Sequence, residues 1–80
     1  MSHSLEARAY SVVAEVLGVS PETVTKESSR DSLPGWDSVA TINLMMAIEA
    51  EFDVELTVDE GADLVSVKFM LALLREKGAS

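Results

Sequence analysis

The sequence predicts an all-α fold: a small bundle of three main helices plus one short third helix, with a long loop between helices one and two. Three observations lead there. Three segments place apolar side chains three and four residues apart, the spacing that lines one face of a helix. The alternating acid–apolar run from Asp53 to Thr57 has nothing to pair with, and a lone strand does not persist in water. Finally, 80 residues leave room for one core, and 48% hydrophobic residues against 25% charged ones supply it, unlike the aliphatic-poor composition of a disordered tail. The expectation is a single domain over residues 1–80.

The elements follow in order. Residues 4–17 carry Leu5, Ala9, Val12, Val13, Val16 and Leu17 at helical spacing, with Ser4 as N-cap and Gly18 as stop. Residues 18–37 are polar and punctuated and read as loop, with a turn at Ser20-Pro21-Glu22 and with Val24 and Leu33 pinning it to the core. Pro34-Gly35 is a turn signal, Asp37 and Ser38 are both capping types, and a helix over 38–51 follows. Residues 53–57 read as loop. A single weak turn covers 58–63, loosened by Gly61, and a last helix spans 66–77, capped by Ser66, stopped by Gly78 and closed by Arg75 and Lys77 at its negative end.

Charge narrows the function classes. Fourteen acids against six bases give −8, and the excess is concentrated: Asp31 to Val67 holds nine acids and no lysine or arginine. A field of that sign repels nucleic-acid phosphates and anionic lipid and attracts proteins with basic docking faces; self-repulsion also favours a monomer. With no cysteine, disulfides, thiolate zinc sites and thiol nucleophiles are excluded. The uncharged stretch Val39 to Ile48, even with Ser38 added, is far below the roughly 20 residues of a membrane span, and residues 1–15 lack a secretory layout, so a cytoplasmic location is expected. His3, alone near a terminus, is assigned nothing. Glu49, Glu51, Asp53 and Glu55 lack the glycine-centred calcium loop, leaving no metal site to name. There is no phosphate-binding glycine loop and no partnered nucleophile, so the chain is not expected to be an enzyme.

Helix two is apolar on more than one side. Thr41, Leu44, Met45, Ile48 and Phe52 form the stripe a helix buries in a bundle, while Val39, Ile42 and Met46 form a second stripe elsewhere on its surface. A bundle that wraps the helix on two sides would bury both. Taken as a set, an exposed stripe ringed by acids is the anatomy of a docking helix, with flexible Met46 suited to several partners.

Gly35-Trp36-Asp37-Ser38-Val39, at the end of the long loop, resembles the phosphopantetheine attachment site of acyl carrier proteins, whose usual core is Asp-Ser-Leu. The resemblance continues through Met46-Ala47-Ile48-Glu49-Ala50-Glu51-Phe52 and the acidic–apolar loop after it, and covers about residues 5–77. It implies that a phosphopantetheinyl transferase, using coenzyme A and magnesium, attaches 4'-phosphopantetheine to Ser38, and that Asp37 helps position the transferase's metal. Capping alone would equally account for Asp37 and Ser38 in an unrelated chain. The arm ends in a thiol that carries acyl groups as thioesters, so a chain without cysteine can be a thiol carrier. Docking to acyl-handling enzymes with basic faces is assigned to Val39, Ile42, Met46, Glu49, Asp59 and Glu60, and Val54, Leu56, Leu64 and Phe69 are candidates to line an acyl shelter. The pathway is fatty acid, polyketide or other specialised acyl metabolism.

The chain departs from the family's pattern at three places. Val39 shortens the usual leucine. Ala40 and Asn43 stand where helix two commonly carries acids, which would weaken electrostatic steering. Trp36 resembles carriers of specialised pathways, or else covers the bundle end as an ordinary loop residue. The alternative is an unmodified acidic interaction domain with the same fold.

Overall fold

The computed structural model describes residues 4–79, a set that leaves out His3. It is all-helical, with four α-helices in a small acyl-carrier-like bundle and no strand among the described residues. In chain order these are α1 (Leu5–Leu17), α2 (Ser38–Phe52), α3 (Val58–Ala62) and α4 (Val67–Glu76), with one 3-10 turn at Pro21–Thr23 in the long α1–α2 connection.

Each helix begins on a side-chain cap, which satisfies an amide that the helix itself cannot. Ser4 Oγ accepts from the Ala7 amide at 3.1 Å and Ser66 Oγ from the Phe69 amide at 3.1 Å. At α3, Thr57 and Glu60 form a reciprocal capping box, which lets a helix of only five residues form in spite of Gly61. The two ends of α2 are closed differently. Asp37 caps its start, and Asp53 ends it in the left-handed region at φ 54°, a conformation that aspartate tolerates better than most residues. Arg8 of α1 then lies against that C-terminal end: its Nη2 donates to the Glu51 carbonyl at 2.9 Å, its Nε pairs with the Glu51 carboxylate at 3.2 Å, and its guanidinium stacks 4.5 Å from the Phe52 ring centre.

The core is built around α1, which packs against both α2 and α4, while α3 packs on α2. Ala9, Val13, Leu44, Ile48, Leu64, Val67, Met70 and Leu74 are sealed from water in one cluster. The α1–α2 loop joins that cluster through Val24, Leu33 and Trp36. It is also tied by backbone hydrogen bonds to the α3–α4 connection: the Arg30 amide donates to the Val65 carbonyl at 3.0 Å and the Val67 amide to the Ser28 carbonyl at 2.9 Å, flanking an antiparallel bridge between Ser29 and Ser66. A loop secured in this way delivers the start of α2 to a defined place.

Trp36 is only 4% exposed, and its Nε1 donates to the Leu64 carbonyl at 3.2 Å. The indole is therefore a core plug joining the loop to the α3–α4 connection, and its presence is accounted for by packing. Ala40 is 7% exposed and belongs to the inward side of α2. The expectation that its missing charge weakens steering is corrected: an acid there would face the core. Asn43 is exposed.

Candidate functional site

The start of α2 is shaped by its own sequence. Gly35 takes φ 85°, the positive value that a turn after Pro34 needs and that glycine supplies without strain. Asp37 then sits in an extended conformation as N-cap; its Oδ1 accepts from the Ala40 amide at 2.8 Å, and its carbonyl accepts from the Thr41 hydroxyl at 2.9 Å. Capping is thus assigned to Asp37 alone. Ser38 becomes the first helical residue, exposed, and its hydroxyl makes no hydrogen bond among the described residues. The second Asp37 carboxylate oxygen is also without a partner among them.

A free hydroxyl at the positive end of a 15-residue helix is well placed to carry an anion, because the first amides of the helix point past it. Beside it opens a cleft of about 280 Å³ between α2 and α3, lined by Ser38, Thr41, Ile42, Met45, Val58 and Gly61, with Ala62 and Arg30 completing the wall. A methyl group added at Gly61 would run into the Met45 side chain, so α3 approaches α2 closely here and any residue with a Cβ would make Met45 shift. The residues expected to shelter an acyl group are placed elsewhere. Leu64 is sealed in the core, Val54 and Leu56 are partly buried against it, Phe69 is half-exposed on α4, and none of the four lines the cleft. Periodicity marked them as apolar; it carried no signal that α3 would close over Met45 instead.

The second stripe of α2 faces solvent. Val39 is 66%, Ile42 54% and Met46 53% exposed, against 0% for Leu44 and 1% for Ile48 on the opposite side. The three acids grouped with that stripe differ among themselves. Asp59 is exposed. Glu49 is half-buried and its Oε2 accepts from the Leu56 amide at 3.0 Å, so it braces the α2–α3 loop. Glu60 is engaged twice, in the α3 capping box and with Lys77, the residue that caps the end of α4, at 2.8 Å; the hydrogen bond from Lys77, then that from the Thr57 amide, holds its carboxyl below the ordinary value of 4.5. For Glu49 and Glu60 the docking expectation is therefore amended by a structural role that sequence spacing did not reveal. Among the described residues no cluster of three metal-ligating side chains occurs, and no helix is long and apolar enough to cross a membrane.

With this geometry in place, the chain matches the family model of the phosphopantetheine attachment site over residues 8–74. The matched span runs from α1 to the last turn of α4 and includes the Asp37-Ser38 pair, the cleft and both stripes of α2.

Proposed function

Because the chain belongs to the phosphopantetheine attachment site family, whose members carry covalent 4'-phosphopantetheine, we propose that Ser38 is the residue modified in this carrier protein. The observation that carries the assignment is the division of labour at the start of α2: Asp37 performs the capping and leaves the neighbouring hydroxyl exposed and without a partner. In the transfer, the Ser38 oxygen forms a bond to the phosphorus of coenzyme A next to the pantetheine, the pyrophosphate link breaks, adenosine 3',5'-bisphosphate leaves, and the hydroxyl proton passes to a base of the transferase.

The residues present fit the group. The hydroxyl is open to solvent, the amides at the helix start favour the phosphodiester's charge, and the free oxygen of Asp37 is available to a magnesium ion of the transferase. When bound, the arm supplies a thiol on which acyl groups are held as thioesters. The cleft supports a short acyl cargo, since about 280 Å³ lies at the lower edge of the roughly 300–1,000 Å³ usual for small-molecule sites. Val39, Ile42 and Met46, with exposed Asp59 and the acidic stretch of sequence that contains them, form the face presented to transferase and acyl-handling enzymes with basic surfaces. Glu49 and Glu60 contribute to that face only through whatever charge their internal hydrogen bonds leave outward. The unmodified-domain alternative loses part of its motive with the burial of Ala40.

The test is intact-protein mass spectrometry after incubation with coenzyme A, magnesium and a broad-specificity phosphopantetheinyl transferase. One added arm on the wild type and none on Ser38→Ala is the expected result. An arm that still appears on Ser38→Ala would remove the assignment, as would no addition to the wild type when a control carrier is loaded.

A further inference from the structure

Arg30 and Lys26 differ from the other four cations of this chain in having no ion pair among the described residues, and of the two only Arg30 lines the α2–α3 cleft. Arg8, Lys68, Arg75 and Lys77 each pair with a carboxylate, at 3.2, 3.8, 2.7 and 2.8 Å. Arg30 has no ion pair among the described residues, although Asp31 is its neighbour and the chain carries a net charge of −8. Its backbone is not loose: the amide is held by the Val65 carbonyl at 3.0 Å, next to the Ser29–Ser66 bridge. From that position it lines the α2–α3 cleft together with Ser38, and it also lines a second hollow of about 440 Å³ formed by residues 30–37. The two hollows flank the Asp37-Ser38 pair, so Arg30 is common to both sides of the attachment point.

We propose that Arg30 binds the phosphodiester carried on Ser38. This rests on the assignment of Ser38 as the modified residue. A phosphodiester formed there adds a negative charge beside Asp37 in a strongly acidic stretch, a placement that self-repulsion opposes. A guanidinium offers paired donors matched to phosphate oxygens, and it loses less hydration than an ammonium in doing so. The walls of the cleft beyond Ser38 are Thr41, Ile42, Met45, Val58 and the small residues Gly61 and Ala62, so Arg30 is the one cation that lines it. An anion joined through the Ser38 oxygen is confined to the rim that Arg30 shares. A carboxylate at the far end of a flexible arm is not so confined, and the phosphodiester is therefore the favoured partner.

The experiment compares wild type, Arg30→Gln and Arg30→Lys, each unloaded and loaded, with loading verified by intact mass. The readouts are the change in Tm on loading and the 31P chemical shift of the phosphodiester. Loading of Arg30→Gln should give a Tm change about 4 °C less favourable than loading of wild type, the size expected of one exposed charge-assisted contact in a chain of this length. The 31P resonance should shift between the two, and Arg30→Lys should recover part of both effects. Equal Tm changes and coincident 31P resonances across the three proteins overturn the proposal while leaving Ser38 as the attachment site. Butyryl- and succinyl-loaded forms distinguish the anion involved: a penalty for Arg30→Gln confined to the succinyl form means that the cation serves a cargo carboxylate, which also overturns it. Failure of the wild type to accept the arm removes the Ser38 assignment and this proposal with it.

Discussion

Leu44 and Ile48 on one side of α2 are sealed against α1 and the rest of the core, whereas Val39, Ile42 and Met46 on another side of the same helix are more than half exposed. The residues are similar in size and chemistry; what differs is whether the fold supplies a partner. α4 shows the ordinary arrangement, with Val67, Met70, Leu71 and Leu74 inward and Lys68, Ala72 and Arg75 outward. α2 keeps more than half of an apolar outer stripe in water and forgoes roughly 25 cal/mol for each Å² left exposed. Such a stripe is consistent with a surface covered only when another protein arrives.

The comparison is broken most directly by alanine substitution on the two sides. Leu44→Ala removes a fully buried side chain and should cost about 3 kcal/mol, which lowers Tm by on the order of 12 °C or more. Met46→Ala and Ile42→Ala should each stay within about 0.5 kcal/mol of wild type. Thermal or urea unfolding of the three variants decides the matter. A Met46→Ala cost approaching that of Leu44→Ala would mean that the outer stripe is packed and that the docking reading has lost its basis.

A second pair of changes sharpens the same contrast by separating stability from encounter. Ile42→Asp with Met46→Asp should leave the fold intact and still reduce the rate of arm transfer to Ser38 by about tenfold, the effect of losing roughly 1.4 kcal/mol of apolar contact with the transferase. Progress of loading followed by intact mass measures it, with circular dichroism as the control. An unchanged rate would place the transferase's contacts elsewhere.

Much of this arrangement was legible in the residues themselves. The caps Ser4 and Ser66, the stop at Gly18 and the left-handed turn at Gly35 are local chemistry, and local chemistry is written in short stretches of chain. The two stripes of α2 were visible as spacing, but which of them the core would take was not, because periodicity describes a helix and not its neighbours. For the same reason the spacing did not show that Ala40 is turned inward by helix register, or that Glu49, assigned to docking, also accepts from a backbone amide seven residues ahead. Nor does any pattern signal that α3 closes over Met45 at Gly61 and so places the cleft beside Ser38.

The indole of Trp36 tests the loop that delivers Asp37 and Ser38. Trp36→Phe keeps most of the apolar bulk and deletes the donor to the Leu64 carbonyl, so a cost of about 1–2 kcal/mol is expected from a lost buried hydrogen bond and an imperfect fill. Loading of Ser38 should continue at nearly the wild-type rate while the fold is populated. A stability loss below about 0.3 kcal/mol would show that the loop is held by Leu33, Val24 and its backbone hydrogen bonds alone.

The smallest effect concerns the clasp between α3 and α4. The Glu60 carboxyl is held below its ordinary value of 4.5, first by the hydrogen bond from Lys77 and then by that from the Thr57 amide. A carboxyl whose pKa is depressed by folding contributes stability that is present above the unfolded-state value and is lost as pH falls through the folded one. Glu60→Gln removes the charge and retains an acceptor for the Thr57 amide, so the capping box survives and the Lys77 pairing does not. At neutral pH the variant should unfold slightly before wild type, with the gap closing as pH drops below 4.5. Tm measured for both proteins from neutral to acid pH gives the answer. A gap that stays constant across that range would mean that the Lys77 contact at the surface holds α3 no more firmly than the capping box already does.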